Sequence, residues 1–342
     1  MQAANIDGQI TMTNKAFGVA GSTVIATMLF CLFCWSPPAI AQTGYPTQPI
    51  HLLVGFPGGT APDIGARVLG DKLGMALGQP IVIEAIAGAS GNIAGARVAR
   101  SEPDGHTLIL AANSGIVINP YLYRKMPYDP AVDLIPITQL FSYANVLGVN
   151  NNVPVTNVQE LVGLAKARAG TLTIGHPGVG TTIHLSAELF KSMAGIDIRL
   201  IPYRNSNNFL PDLIGGQIDM GFGTPLGGLP MAREGKIKAL AVTSLRRTSV
   251  APDIPTMAES GFPGFDIVVW WGLMAPAKTP PAIIDKLYQE SARILALPEV
   301  RKRYGELGCD VIGNTPQEFA SAIKAEGPRW AKLIDTLGLK LD

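Results

Sequence analysis

The sequence predicts an α/β protein of two domains, each a mainly parallel sheet flanked by helices. Three observations lead there. Short, unbroken apolar runs alternate with segments of helical periodicity, the pattern of strands buried on both faces. Glycine-rich turns follow several of these strands where a helix begins. The chain's 342 residues, 47% hydrophobic and 15% charged, suit two cores better than one.

The elements follow in order. Residues 50–54 (IHLLV) form a strand ended by Phe56-Pro57-Gly58-Gly59, and residues 63–77 carry apolar positions at helical spacing. A strand at 81–83, a helix at 92–99 and a strand at 107–111 continue the pattern. It resumes with a strand at 171–174, a helix at 182–193, a strand at 197–201 and a helix at 207–214, then strands at 218–222 and 239–243. Helices are expected at 283–295, 317–324 and 330–337. Two apolar segments, 144–149 and 267–275, read as crossings between halves. The second domain is thus inserted: 45–143 plus 271–342 for domain 1, 144–270 for domain 2.

A formal charge of +1 gives no field for non-specific nucleic-acid capture, so no nucleic-acid partner is expected. Lys15, an uncharged run at 16–35, Pro37-Pro38 and Ala39-Ile40-Ala41 read as a signal peptide spanning residues 1–41. The rival reading is an uncleaved anchor. Beyond Ala41 the one thiol is Cys309, which excludes a disulfide framework and cysteine-based metal sites. Export without disulfides suggests a periplasm.

Three glycine-rich loops carry the chemistry: 56–63 (FPGGTAPD), 86–92 (IAGASGN) and 175–182 (GHPGVGTT). Each follows a strand and opens a helix, where unpaired N–H groups and the helix dipole favour an anion. Thr60 and Asp63 have capping-box spacing, Ser90 or Asn92 is a candidate cap, and so is Thr181 or Thr182. The third loop has Thr181 where a phosphate-binding loop needs Lys, and no loop spells G-x-G-x-x-G, so nucleotides are disfavoured. His51 and His106 read as structural, Cys309 as inert, and Trp270-Trp271 as core or hinge packing. No metal, cofactor or catalytic residue is expected. His176 and His184 flank the third loop, which keeps open an exported carboxylate-processing enzyme with one of them as general base.

Segments 46–67, 118–123 (INPYLY), 178–190 (GVGTTIHLSAELF), 201–204 (IPYR), 213–220 (LIGGQIDM), 239–244 (ALAVTS), 252–258 (PDIPTMA) and 315–319 (TPQEF) resemble, in this order, the Bug-type periplasmic receptors of tripartite tricarboxylate transporters. The resemblance implies a two-domain periplasmic binding protein. It would close on a small organic carboxylate, hand it to a membrane permease, and act as a monomer without chemistry. It places the ligand against Phe56, Pro57, Gly58, Gly59, Thr60 and Asp63, and against Ala87, Gly88, Ala89, Ser90, Gly91 and Asn92. The opposite wall would come from Gly178, Gly180, Thr181, Thr182 and His184, with Tyr203, Arg204, Asn205 and Gly223.

The chain departs from the family pattern at Pro57-Gly58-Gly59-Thr60, at Ala87-Gly88-Ala89-Ser90, at Arg204-Asn205 and at Gly223, where the family often has Asp. Without that carboxylate, an amino-acid ligand would lack a partner for its ammonium group. A ligand sensor acting on a signalling partner uses the same cleft and is the remaining alternative.

Overall fold

The computed structural model describes residues 44–204 and 208–341. The expected signal segment 1–41 and Asn205 lie outside the described residues.

The first sheet is built from β1 (Ile50–Val54), β2 (Ile81–Ala85), β3 (Thr107–Ala112), β4 (Leu134–Ala144), β10 (Val268–Pro276) and β11 (Asp310–Val311). Its order is β11-β4-β10-β3-β1-β2. The second comprises β5 (Val146–Asn150), β6 (Thr173–His176), β7 (Arg199–Pro202), β8 (Met220–Gly223) and β9 (Ile237–Val242), ordered β7-β6-β8-β5-β9. Leu52, Leu53 and Val54 are fully buried, as a short central strand requires, whereas Val82 on edge strand β2 is exposed.

Both sheets are mixed rather than mainly parallel. The expected parallel trios form, β2-β1-β3 and β7-β6-β8. Antiparallel strands extend each: β10, β4 and β11 in the first sheet, β5 and β9 in the second. The reason is connectivity. β5 and β10 enter their sheets directly from the other sheet, after β4 and β9, with no helical crossover, and so run against their neighbours.

Helices cover the sheets: α1 (Ala61–Leu77), α2 (Asn92–Ala99), α3 (Val158–Ala167), α4 (Thr182–Ala194), α5 (Phe209–Gly215), α6 (Pro225–Arg233), α7 (Pro281–Leu295), α8 (Pro298–Glu306) and α9 (Pro316–Thr336). The sequence reading lacked β4, α3, α6 and α8, because Pro136 interrupts β4, Gly227, Gly228 and Pro230 dilute α6, and charges dominate α8. It also split α9 in two, but the helix runs through Pro328. Burial of Phe319 and Trp330 on one face, and a capping box between Thr315 and Glu318, hold that helix together.

The chain passes between the sheets twice, at Asn145 and over residues 243–267. Thr243 ties the passes together. Its hydroxyl accepts from Asn145 N at 2.9 Å and donates to Ile267 O at 2.6 Å. Its own N–H reaches Asn145 O at 3.0 Å, and Ile267 N returns to Thr243 O at 2.8 Å. This fully buried residue fixes the geometry about which the sheets meet.

Candidate functional site

The first loop is shaped by Asp63. Its carboxylate accepts from Gly59 N at 2.9 Å and from Arg67 at 3.0 and 3.2 Å. The expected capping box is replaced by this longer reach. Thr60 Oγ1 instead donates to Pro57 O at 2.7 Å, and Thr60 makes no side-chain cap. Burial alone would raise the Asp63 pKa, but the hydrogen bonds from Arg67 and Gly59 and the Arg67 charge outweigh it and hold the carboxyl below its usual range.

The second loop is strained. Gly88, Ala89, Ser90 and Gly91 all have positive φ, at 143°, 46°, 52° and 95°. For Ala89 and Ser90 this conformation costs on the order of 1–3 kcal/mol each. Their surroundings hold it: Ser90 O accepts from Ser114 Oγ at 3.2 Å and Asn119 Nδ2 at 3.4 Å, and Asn119 also donates to Asn92 Oδ1 at 2.7 Å. Neither Ser90 nor Asn92 caps α2; its N-cap is Gly91.

In the third loop Thr181 caps α4, accepting from His184 N at 3.3 Å and donating to Gly178 O at 2.9 Å. The loop meets the first sheet's side directly, since Ser90 Oγ donates to Val179 O at 3.3 Å. Gly180 approaches so closely that a Cβ there would stand 2.5 Å from Leu122 Cδ2.

These loops enclose a cavity of about 290 Å³. From the first sheet it is lined by Gly55, Phe56, Pro57 and Thr60 to Pro62, by Ala87, Gly88, Ala89 and Ser90, and by Ala112 to Ser114. Tyr123, Tyr143, Val269 and Trp271 complete that side. From the second sheet come Pro177, Gly178, Val179, Thr181, Thr182, Ile183, Arg204, Thr224 and Leu226. The cavity lies where β1, β2, β3, β6, β7 and β8 end, and the first turns of α1, α4 and α6 border it. Among the described lining residues Arg204 bears the one formal charge.

Eleven of the sequence-predicted residues therefore share one cavity: Phe56, Pro57, Thr60, Ala87, Gly88, Ala89, Ser90, Gly178, Thr181, Thr182 and Arg204. The other described ones do not line it. Gly58 and Gly59 sit exposed on the loop, Asp63 fastens it from beneath, and Gly91 and Asn92 belong to the support of the second loop. Gly180 touches Leu122. Gly223 borders a separate small hollow with Phe209. Tyr203 turns away, donating to Asp212 at 2.6 Å; burial together with that carboxylate pushes its phenol up to about 12.

His184 is also excluded. It is 4% exposed and packs its ring 4.8 Å from His176, which is itself buried. Burial, with the His176 and Lys191 charges, pushes the His184 pKa down to about 4, and burial lowers that of His176. Among the described residues no histidine lines the cavity, so His176 and His184 are not where the carboxylate-processing reading would place its general base. His51 pairs with Glu84 at 2.6 Å and His106 accepts from Thr47 N at 3.2 Å, both as structural groups. Cys309 is buried, with its thiol pKa pushed up mainly by burial.

The sequence reading missed Asn113, Ser114, Tyr123, Tyr143, Thr224, Leu226 and Trp271. Trp271, expected as packing, lines the cavity, while its neighbour Trp270 donates to Glu326 at 2.6 Å. Alternation along β10 was the available signal, because consecutive residues of a strand face opposite sides.

Two α/β sheets joined by two passes, with glycine-rich strand ends closing over one cavity, define a solute-binding protein of the periplasmic type. Solved relatives agree. An R. palustris protein, Rpa4515, solved with adipate, is 35% identical with a TM-score of 0.81, covering 86% of this chain and 99% of that one. MatC from Rhodopseudomonas palustris, solved with malate, is 31% identical with a TM-score of 0.78 over 85% of this chain and 100% of its own. Among curated proteins, BugT of Bordetella pertussis is 34% identical over 89% of this chain and 93% of its own length. The model of the tripartite tricarboxylate transporter family receptor matches residues 65–339. The chain belongs to that family.

Proposed function

We propose that the protein is an extracytoplasmic receptor that captures a small organic carboxylate by closure of two lobes and delivers it to the membrane permease of a tripartite transporter. The lobes would be residues 45–143 plus 271–342, and residues 144–270, hinged near 144–149 and 267–275. Residues 1–41 would direct export to the periplasm and be removed. The mature chain would act as a monomer and leave its ligand chemically unchanged.

One observation carries this reading: strand ends and helix N-termini from both sheets border the same cavity. The first helical turns carry N–H groups with no helical partner, and Arg204 adds a positive charge at the cavity. Charge-assisted hydrogen bonds contribute about 1.5–3 kcal/mol each, while association costs about 4 kcal/mol or more. One wall alone would bind weakly. Donors from both walls bring micromolar affinity, about −8 kcal/mol, within reach.

Calorimetric titration of residues 42–342 with di- and tricarboxylates tests the reading. Heat with a dissociation constant near micromolar, and unchanged ligand after long incubation, is expected. Silence across the series would refute capture of a carboxylate, and product formation would refute a receptor.

A further inference from the structure

We propose that Asn113, Tyr143 and Trp271 form a polar corner of the cavity that reads a hydroxyl group on the carbon body of the bound carboxylate. The inference rests on the receptor reading and deepens it by naming the residues that set ligand preference.

Among the described residues, the buried side-chain polar atoms without a partner include two that belong to the cavity wall, Asn113 Oδ1 and Trp271 Nε1. The first can only accept a hydrogen bond and the second can only donate one. Asn113 cannot exchange its two ends. Its Nδ2 donates at 2.9 Å to Val268 O, an acceptor, which leaves Oδ1 as the free end. Asn113 is 0% exposed and Trp271 2%, so partners for these atoms must come from whatever fills the cavity. A buried polar atom left unpaired costs its desolvation, and a ligand that supplies the partner recovers it.

The first sheet sets the three residues side by side. Trp271 and Val269 are two positions apart on β10 and share a face, and Tyr143 on β4 stands directly opposite Val269. Asn113 follows β3, whose last residue, Ala112, stands opposite Trp271, and the bond to Val268 holds its amide over the same end of β10. Burial pushes the Tyr143 phenol up while the Trp271 indole works against this, and no hydrogen bond closes between the two. The phenol therefore stays neutral, able to donate or accept, and the indole N–H stays available.

A hydroxyl suits this corner because it both accepts and donates. It can take the Trp271 N–H, give its own hydrogen to Asn113 Oδ1, and pair with the Tyr143 phenol in either sense. A carboxylate oxygen would meet Asn113 Oδ1 as acceptor against acceptor. An ammonium would meet the indole N–H as donor against donor, and a methylene would leave both atoms unpaired. The carboxylates have donors elsewhere, since Arg204 and the hydroxyls of Thr182 and Thr224 lie on the opposite side. Thr224 precedes α6 without capping it through its side chain, and Thr182 Oγ1 accepts from Asn145 Nδ2 at 3.5 Å with its own hydrogen left to donate.

The experiment titrates residues 42–342 by calorimetry with two pairs that differ by one hydroxyl, succinate against malate and tricarballylate against citrate, with adipate alongside. The expected result is a dissociation constant at least about tenfold lower for the hydroxylated member of each pair that binds. A pair whose unhydroxylated member binds equally or more tightly overturns the proposal while leaving the receptor reading intact, as does binding of adipate alone. Binding of none of the five overturns both. Trp271→Phe removes the donor and should cut the advantage of malate over succinate several-fold. A purely structural role would weaken both ligands alike, and that unchanged ratio would overturn the assignment. The unaltered protein gives a second reading. Of the four tryptophans Trp35 lies outside residues 42–342, and Trp270 and Trp330 both donate to Glu326, at 2.6 and 2.7 Å. In ¹H–¹⁵N spectra malate should move the Trp271 indole signal downfield further than succinate does. Equal response to the two ligands would overturn the proposal.

Discussion

Gly55→Ala separates the first two loops without touching a polar group. Gly55 follows β1 and lines the cavity, and a Cβ there would stand 2.7 Å from the Gly91 Cα and 3.4 Å from the Gly91 carbonyl oxygen. Carbon atoms in contact settle near 3.5–4.0 Å, so the second loop must retreat by about 1 Å. The atom met is backbone, and no side-chain rotation relieves it. The retreat also pulls on Ala89 and Ser90, whose left-handed conformations depend on bonds to Ser114 and Asn119. Overpacking of this kind costs about 1–3 kcal/mol. For a protein of this size the melting temperature should fall by roughly 2–5 °C. Loss of one charge-assisted hydrogen bond from the second loop would weaken carboxylate binding by about tenfold to 100-fold. Differential scanning fluorimetry and calorimetry on the purified variant read the two effects separately. A variant that melts and binds like the parent would refute the claim that loop spacing sets the site.

Gly180→Ala places a methyl group against Leu122 where the third loop meets the opposite side, so it should slow or weaken closure, seen as a severalfold higher dissociation constant in calorimetry. Thr243→Val leaves the Asn145 N–H buried without its acceptor and should cost about 1–3 kcal/mol in urea unfolding. The folded pKa of His184, about 4, lies below the usual 6.5, so the unfolded chain binds the proton first as pH falls. Stability is then full above about pH 6.5 and declines toward pH 4, by up to roughly 3 kcal/mol, and His184→Gln should flatten that slope in melting curves. Asp63 behaves alike at lower pH. Its depressed pKa makes its contribution present above about pH 4 and lost below, an effect that Asp63→Asn should abolish in acid unfolding curves.

The glycine-rich loops were legible because glycine, a following cap residue and a helical pattern coincide in sequence at strand ends. That coincidence places Phe56, Ala87 to Ser90 and Thr181 at one cavity. What lay outside reach was orientation. His184 has the right spacing to be near the third loop, but as the third residue of α4 it turns inward against His176. Asp63 has capping-box spacing from Thr60 but reaches Gly59. The left-handed Ala89 and Ser90 carry no sequence mark, since neither residue type favours that conformation; it is imposed by Ser114 and Asn119 from a distant segment. Tyr143 and Trp271 were hidden for another reason. They sit on β4 and β10, paired antiparallel, and alternation sets Trp271 apart from Trp270 without saying which of the two sides faces the cavity.

The central measurement is a crystal structure of residues 42–342 grown with saturating adipate. Carboxylate oxygens contacted by backbone N–H groups of the Phe56–Pro62 and Ala87–Ser90 loops at one end, and from the Gly178–Ile183 turn or Arg204 at the other, would match the account. Adipate seated on one wall alone, or away from the space between the two sheets, would contradict it.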